Sequence, residues 1–245
     1  MSAEAPPRPA FYALAPGSWR DYVTVLHAPY TAWHLSYVVI GAALAPQWYP
    51  GRLGAALAAF FLAVGIGAHA LDELNGRPLA TRIPSRVLAG AAVVSIGAAV
   101  AIGIAGAIAF DLWLLVFVGV GAFAVYVYNL ELLGDWFHND ATFALAWGAF
   151  PLLTGYFAAA EEIRLEALLA AAFAALSSYA QRQLSTPVRR LRREVASVSG
   201  SLELKDGRRE AITRETMIAG NEAALRALAA AIVALAVALV VLRAT

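Results

Sequence analysis

The chain contains no cysteine, a single lysine (Lys205) among 18 basic residues, and only 14% charged residues in 245. Without cysteine there is no disulfide framework, no thiol nucleophile and no thiolate metal site, and redox chemistry says nothing of the compartment. The scarcity of charge excludes a water-soluble globule. Soluble domains carry roughly 25% charged and about 45–50% apolar residues, whereas 61% of this chain is hydrophobic. Too little polar surface remains to face water, so the composition is that of a membrane protein. Residues 1–17 are rich in proline and alanine without a continuous apolar core, so no secretory signal is expected there. No phosphate-binding glycine loop and no nucleophile elbow is present.

Seven stretches have the length and composition of membrane crossings, each near the ~20 apolar residues that span the hydrocarbon: 22–45, 53–74, 87–110, 112–130, 141–160, 165–181 and 223–242. The expected fold class is therefore an all-α polytopic membrane bundle. The organisation is a mobile tail (1–20), a six-span bundle (21–181), a basic segment (182–221) and a last membrane helix (222–245). Small residues such as Gly90, Gly97, Gly103, Gly106, Gly119 and Gly121 let helix backbones approach closely. Alternating the crossings puts 15 of the 18 basic residues on one face, leaving Arg52, Arg164 and Arg243 on the other. The positive-inside rule makes the first face cytoplasmic, with the N-terminus inside and the C-terminus outside, as in a bacterial-type inner membrane.

Ionisable groups at membrane depth are costly and become the first functional candidates. One cluster ends the second crossing, at His69, Asp72 and Glu73, followed by Gly76, Arg77 and Pro78. Helical spacing puts His69 on one face with Asp72 and Glu73, where imidazole and carboxylates suit Mg²⁺ or a transition metal and Arg77 suits a phosphate. The same residues also read as a solvated helix end, with Gly76 as its left-handed stop. His138 and Asp140 follow the fourth crossing as base or ligand, or as loop groups beside a cap at Asn139 or Asp140. Gln181, Arg182, Arg189 and Arg193 leave the sixth crossing as an anion-binding rim or as a patch drawn to anionic headgroups. His27, Tyr30, Thr31 and His34 form a polar stripe on the first helix, expected to be structural. Segment 199–210 carries alternating Leu202 and Leu204 before an Asp-Gly turn, which predicts a hairpin.

These features together resemble the UbiA-type intramembrane prenyltransferase superfamily. The resemblance runs over residues 20–190 and rests on three regions. These are the acidic end of the second crossing with Arg77-Pro78-Leu79, the stretch Ala146-Trp147-Gly148-Ala149-Phe150-Pro151-Leu152-Leu153-Thr154-Gly155-Tyr156, and the polar exit of the sixth crossing. The family's first motif, Asn-Asp-x-x-Asp-x-x-x-Asp, falls with Ala68 and His69 at the opening pair, Asp72 at the middle aspartate and Gly76 at the last. Its second motif, Asp-x-x-x-Asp, has no counterpart: no acidic residue lies between Glu166 and Glu194, and Gln181 and Gln183 occupy that region. The family usually has nine crossings, against seven here. The resemblance implies Mg²⁺ and an isoprenyl diphosphate, whose ionisation lets an acceptor attack the allylic carbon.

The expectation is a UbiA-like transferase acting on an isoprenoid or phosphorylated lipid at the cytoplasmic face. It would have Asp72, Glu73, His138 and Asp140 as catalytic candidates, His69, Asp72 and Glu73 as metal ligands, and Arg77, Gln181, Arg182 and Arg189 on the substrate. A different class of reading is a non-catalytic protein that binds lipid, or a soluble partner through its basic segment. A third is a redox metal site using His34, His69 and His138. Lipid headgroups are a nearer anion for the arginines than nucleic acid, so no nucleic-acid partner is expected.

Overall fold

The computed structural model describes residues 8–245, and these are almost entirely helical. A short α1 (Trp19–Val25) leads into α2 (Ala28–Leu44). The break falls at His27, whose φ of 47° is left-handed, and Pro29 then sits in the first turn of α2, where its missing N–H costs nothing. Next comes α3 (Pro50–Leu74), which widens to π-helical winding over Phe61–Ala68. It stops where Gly76 takes a φ of +90°, as the sequence predicts. Then follow α4 (Ser85–Ala109), α5 (Leu114–Asn129), α6 (Asp140–Ala160) and α7 (Leu165–Arg193). The start of α6 is capped by Asn139, whose Oδ1 accepts from the Thr142 N–H at 2.9 Å.

The expected hairpin is present, with β1 (Ser201–Glu203) antiparallel to β2 (Arg209–Ala211) and Leu202 opposite Glu210. A capping box between Thr213 and Thr216 starts α8 (Arg214–Ala244).

Four helices are long and apolar enough to cross a membrane: Pro50–Leu74, Ser85–Ala109, Asp140–Ala160 and Arg214–Ala244. That is fewer than the seven crossings expected from the sequence. Leu114–Asn129 is apolar but shorter, Ala28–Leu44 has 17 residues, and Leu165–Arg193 adds an arginine-rich second half to its apolar first half.

The centre of the bundle is the contact between α2 and α6. Buried Trp33, Tyr37 and Leu152 pack there. A methyl group on Gly41 would overlap the Leu152 carbonyl, and one on Gly155 would overlap the Val38 carbonyl, so both glycines let the two backbones touch. Gly148 meets α7 in the same way, at the Ala174 carbonyl. His34 donates from Nδ1 to the Trp147 carbonyl at 2.7 Å, tying α2 to the π-wound stretch Leu145–Ala149 of α6. For His34, this is the structural role expected of the polar stripe.

Residues 8–17, expected as part of a mobile tail, lie packed on the bundle. Ala10 and Ala13 are buried in the core cluster that contains Leu71 and Trp147. The Leu14 N–H donates to Thr24 Oγ1 at 3.1 Å, and the Gly17 N–H to Asp21 Oδ1 at 2.9 Å.

Candidate functional site

Asp72 and Glu73 are neighbours in the last turn of α3 and have opposite surroundings. Glu73 is fully buried, and its carboxylate accepts from the Leu79 N–H at 3.0 Å, the Thr81 N–H at 2.9 Å and the Thr81 hydroxyl at 2.8 Å. It folds the 75–84 loop back onto the helix. Buried Asp21 completes the clamp by accepting from the Arg82 N–H at 3.0 Å. Arg77 is engaged in the same loop, donating to the Ile83 carbonyl at 2.6 Å and to Ser85 Oγ at 2.7 Å. Asp72, by contrast, is half-buried, and its carboxylate makes no hydrogen bond or ion pair among the described residues. It faces Arg189 and Arg193 of α7 and His138 within electrostatic reach.

The two helices that resembled one site from the sequence do converge. Arg182 and Gln183 both reach Asp140 across the α6–α7 contact, at 3.0 Å and 2.6 Å. Arg182 also lies over the Phe143 ring at 5.3 Å. Asp140 is thus held at the start of α6 by an ion pair that aims Arg182. Arg189 lies within electrostatic reach of Arg182, Arg193, Tyr128 and Asp72, and its guanidinium donates to Thr186 Oγ1 at 3.1 Å. Three guanidinium groups therefore lie within electrostatic reach of one another in the space between the ends of α3 and α7, with Arg182 paired to Asp140. Such an arrangement attracts an anion with several oxygens.

The walls of this space are aromatic. Tyr128 stacks on His138 at 4.3 Å and contacts Trp147 at 4.7 Å, while the His138 Nδ1 donates to the Tyr128 carbonyl at 3.1 Å. On the α2 side, His27 stacks on His69 with ring centres 4.1 Å apart. The His69 Nδ1 is spent on the Gly65 carbonyl at 3.2 Å, inside the wide turns of α3. Three buried side-chain atoms around these walls have no hydrogen-bond partner among the described residues: His27 Nε2, the Tyr128 hydroxyl and Gln181 Oε1. Unpaired polar atoms in a buried setting cost about 1–3 kcal/mol each. Buried polar atoms are nearly always paired, so each of these three calls for an explanation.

One participant has no counterpart among the sequence candidates. The Tyr12 hydroxyl lies 3.0 Å from His27 Nδ1, and its ring meets those of Tyr30 and Phe11 edge-on. Burial pushes the Tyr12 phenol up from its ordinary pKa, so it stays protonated. The only sign of it in the sequence is the Phe11-Tyr12 pair within a stretch otherwise rich in proline and alanine.

A cleft of about 140 Å³ lies between α3, α4, α5 and α6. Dry apolar cavities of roughly this size accept a six-carbon ring. Its lining is almost wholly apolar, from Arg52 through Phe60, Phe117 and Phe150 to Trp147. Along α3 it extends from Arg52 to Val64, about 18 Å of helix at 1.5 Å per residue. Its inner end, Trp147, is the ring that touches Tyr128.

Among the described residues no group of three or more histidines and carboxylates is disposed to hold a metal ion. Glu73 and Asp140 have their oxygens occupied, and His34 lies apart on Trp147. No protein-family model matches the chain, and no curated protein or solved structure matches it either.

Proposed function

We propose that this protein is a UbiA-like membrane transferase that takes an isoprenoid or phosphorylated lipid at its cytoplasmic end. The headgroup would lie between Asp72 and the arginines of α7, with about one isoprene unit of the tail in the apolar cleft and the rest in lipid. The observation that carries the reading is that Asp72, whose carboxylate has no hydrogen-bond partner among the described residues, lies within electrostatic reach of Arg189 and Arg193, with buried unpartnered atoms on His27, Tyr128 and Gln181. An apolar cleft ends one ring away. A diphosphate oxygen set suits guanidinium forks, and a hydrocarbon chain suits the cleft.

In this reading the chain crosses the membrane seven times. The helices Ala28–Leu44 and Leu114–Asn129 and the first half of Leu165–Arg193 join the four long ones. The basic face is cytoplasmic, with the N-terminus inside and the C-terminus outside. Isoprenyl transfer would break the allylic C–O bond, with its electron pair leaving on diphosphate while an acceptor attacks the carbon. Arg182 and Arg189 would offset the charge that develops on the leaving group. The available donors do not fit the paired carboxylate sites of the family, since only Asp72 is unspent. They do fit a single Mg²⁺ held by Asp72 together with phosphate oxygens and water, which would supply charge neutralisation.

The occupied carboxylates of Glu73 and Asp140 favour one second reading, a lipid-binding protein on the same fold that performs no transfer. One experiment separates the two. Lipid retained by the protein purified in mild detergent is identified by mass spectrometry, and turnover of that lipid is then compared in Asp72→Ala and Arg189→Ala. An isoprenoid diphosphate whose turnover falls at least tenfold in both variants supports transfer. Retention of a phosphorylated lipid without turnover supports binding alone. Ordinary bulk phospholipid with unaltered retention in both variants overturns the site.

A further inference from the structure

The headgroup site is covered by the chain's own N-terminal strap. Residues 8–17 run over the polar end of the bundle and are fastened at several points that differ in kind. Ala10 and Ala13 are buried, and the Ala13 N–H closes a turn onto the Ala10 carbonyl at 3.1 Å. Phe11 lies edge-on to Tyr30 with Arg226 over its ring at 4.9 Å. Tyr12 reaches His27, which is one of the residues carrying an unpartnered atom in the site. At its far end the strap turns out through Gly17, with a φ of +122°, and Ser18, with a φ of 54°. Such a backbone favours glycine and forms a natural hinge.

The arginines give the strap its meaning. Arg193 Nε donates to the Pro9 carbonyl at 3.3 Å, and Arg192, whose Nε is ion-paired with Glu222 at 2.7 Å, donates from Nη1 to the Arg8 carbonyl at 3.1 Å. Arg193 is also within electrostatic reach of Asp72. Two strap carbonyls therefore take hydrogen bonds from α7 cations that a phosphate would take more strongly, because a phosphate adds full charge–charge attraction and can be gripped by a guanidinium fork at two oxygens.

We propose that residues 8–17 form a latch over the headgroup site, bolted by Tyr12 on His27, whose carbonyls occupy Arg192 and Arg193 until an anionic phosphate headgroup displaces them. This rests on the headgroup reading above and adds its regulation. In the closed state the latch shields the arginines from free anions and lowers their apparent affinity by the fraction of molecules that are open. Headgroup binding and strap release are then linked, and each favours the other.

The test is amide hydrogen exchange on the full chain in detergent, with inorganic diphosphate as the probe. The strap is read at Leu14 and Gly17, whose N–H groups are held by Thr24 and Asp21, and the site is read over residues 182–193. Diphosphate is expected to speed exchange at Leu14 and Gly17 while slowing it over 182–193. Slower exchange at both would make the strap a fixed roof and overturn the latch. Slowing over 182–193 with an indifferent strap would overturn the latch alone. No response at either would overturn the phosphate reading, and the linkage with it.

Tyr12→Phe isolates the bolt without any ligand. Loss of one buried hydrogen bond is expected to speed Leu14 exchange about fivefold and to tighten diphosphate binding by a similar factor. Thr24→Val, which removes the acceptor of the Leu14 N–H, is expected to act in the same direction. Unchanged strap exchange in both variants would overturn the bolt, and faster exchange with unchanged diphosphate affinity would overturn the competition.

Discussion

The two ends of the bundle treat their charges differently. At the Arg52 end each charged group is spent on a neighbour. Arg52 pairs with Glu161 at 2.6 Å and Arg164 with Glu162 at 2.5 Å, while Glu166 accepts from the Tyr156 hydroxyl at 2.6 Å. Asp111 caps the Trp113 N–H at 2.7 Å, and Arg243 closes the end of α2 by donating to the carbonyls of Ala43 and Ala45. At the Asp72 end the same kinds of residue divide into two sets. Glu73, Asp21, Arg77 and Arg214 are consumed in holding loops, and Asp72 and Arg189 are not. Charge at a membrane surface is inexpensive, so a paired residue there argues only for a well-made helix end. Buried polar atoms left unpaired carry a cost, and that asymmetry is what the proposed site rests on.

The largest expected effect would break the scaffold common to both ends. Gly41→Ala places a methyl group against the Leu152 carbonyl, and no flexible side chain is there to yield. Overpacking of this kind costs about 1–3 kcal/mol, and a backbone neighbour puts Gly41→Ala at the upper end. Thermal unfolding in detergent should show a large fall, with Gly90→Ala, which has open space around it, as the near-neutral control.

The next prediction sets Glu73 against Asp72. Glu73→Ala leaves the N–H groups of Leu79 and Thr81 without their acceptor in a buried loop, a loss of about 2–3 kcal/mol in stability. Asp72→Asn removes no hydrogen bond and should change stability by less than about 0.5 kcal/mol, yet it should abolish turnover of the bound lipid. Equal losses of stability from the two variants would erase the distinction on which the site rests. Arg189→Ala follows, with diphosphate binding expected to weaken about tenfold at low salt. The difference from the parent should shrink as salt is added, because the remaining arginines are partly open to solvent.

What was legible in the sequence follows from whether a signal is local. Gly76 as a helix stop, Asn139 as a cap and the turn joining Leu202 to Glu210 all act within a few residues, and the structure has each of them. The membrane character was legible from composition, but helix length was not: Ala28–Leu44 and Leu114–Asn129 stop short of 18 residues, and Pro187 and the arginines of α7 continue a helix that the sequence divides at Gln181. The fate of Glu73 was hidden because its partners come from a loop that folds back six to eight residues later. Tyr12 was hidden for a stronger reason: nothing near it in sequence requires it to reach His27. The wide winding of α3 and α6 leaves no mark that composition or spacing reveals, although it sets His69 and Trp147 where they stand.

The smallest expected effect comes from the Arg52 end and tests whether its charges are as inert as their pairing suggests. The Arg52–Glu161 pair joins α3 to the end of α6, and Arg52 also lies 4.1 Å from the Phe110 ring and 4.3 Å from that of Tyr49. Glu161 is exposed, so removing it in Glu161→Gln should cost no more than about 0.5 kcal/mol. It should also leave diphosphate binding unchanged, because the whole length of α3 separates Arg52 from Asp72. Arg52→Ala removes more, since its stem lines the apolar cleft and its guanidinium packs on two rings. A double-mutant cycle over Arg52 and Glu161 should therefore give a coupling under about 1 kcal/mol, with most of the Arg52→Ala loss remaining in the Glu161→Gln background. A change in headgroup binding in either single variant would show that the two ends communicate through α3, and the division between a spent end and an open one would then fail.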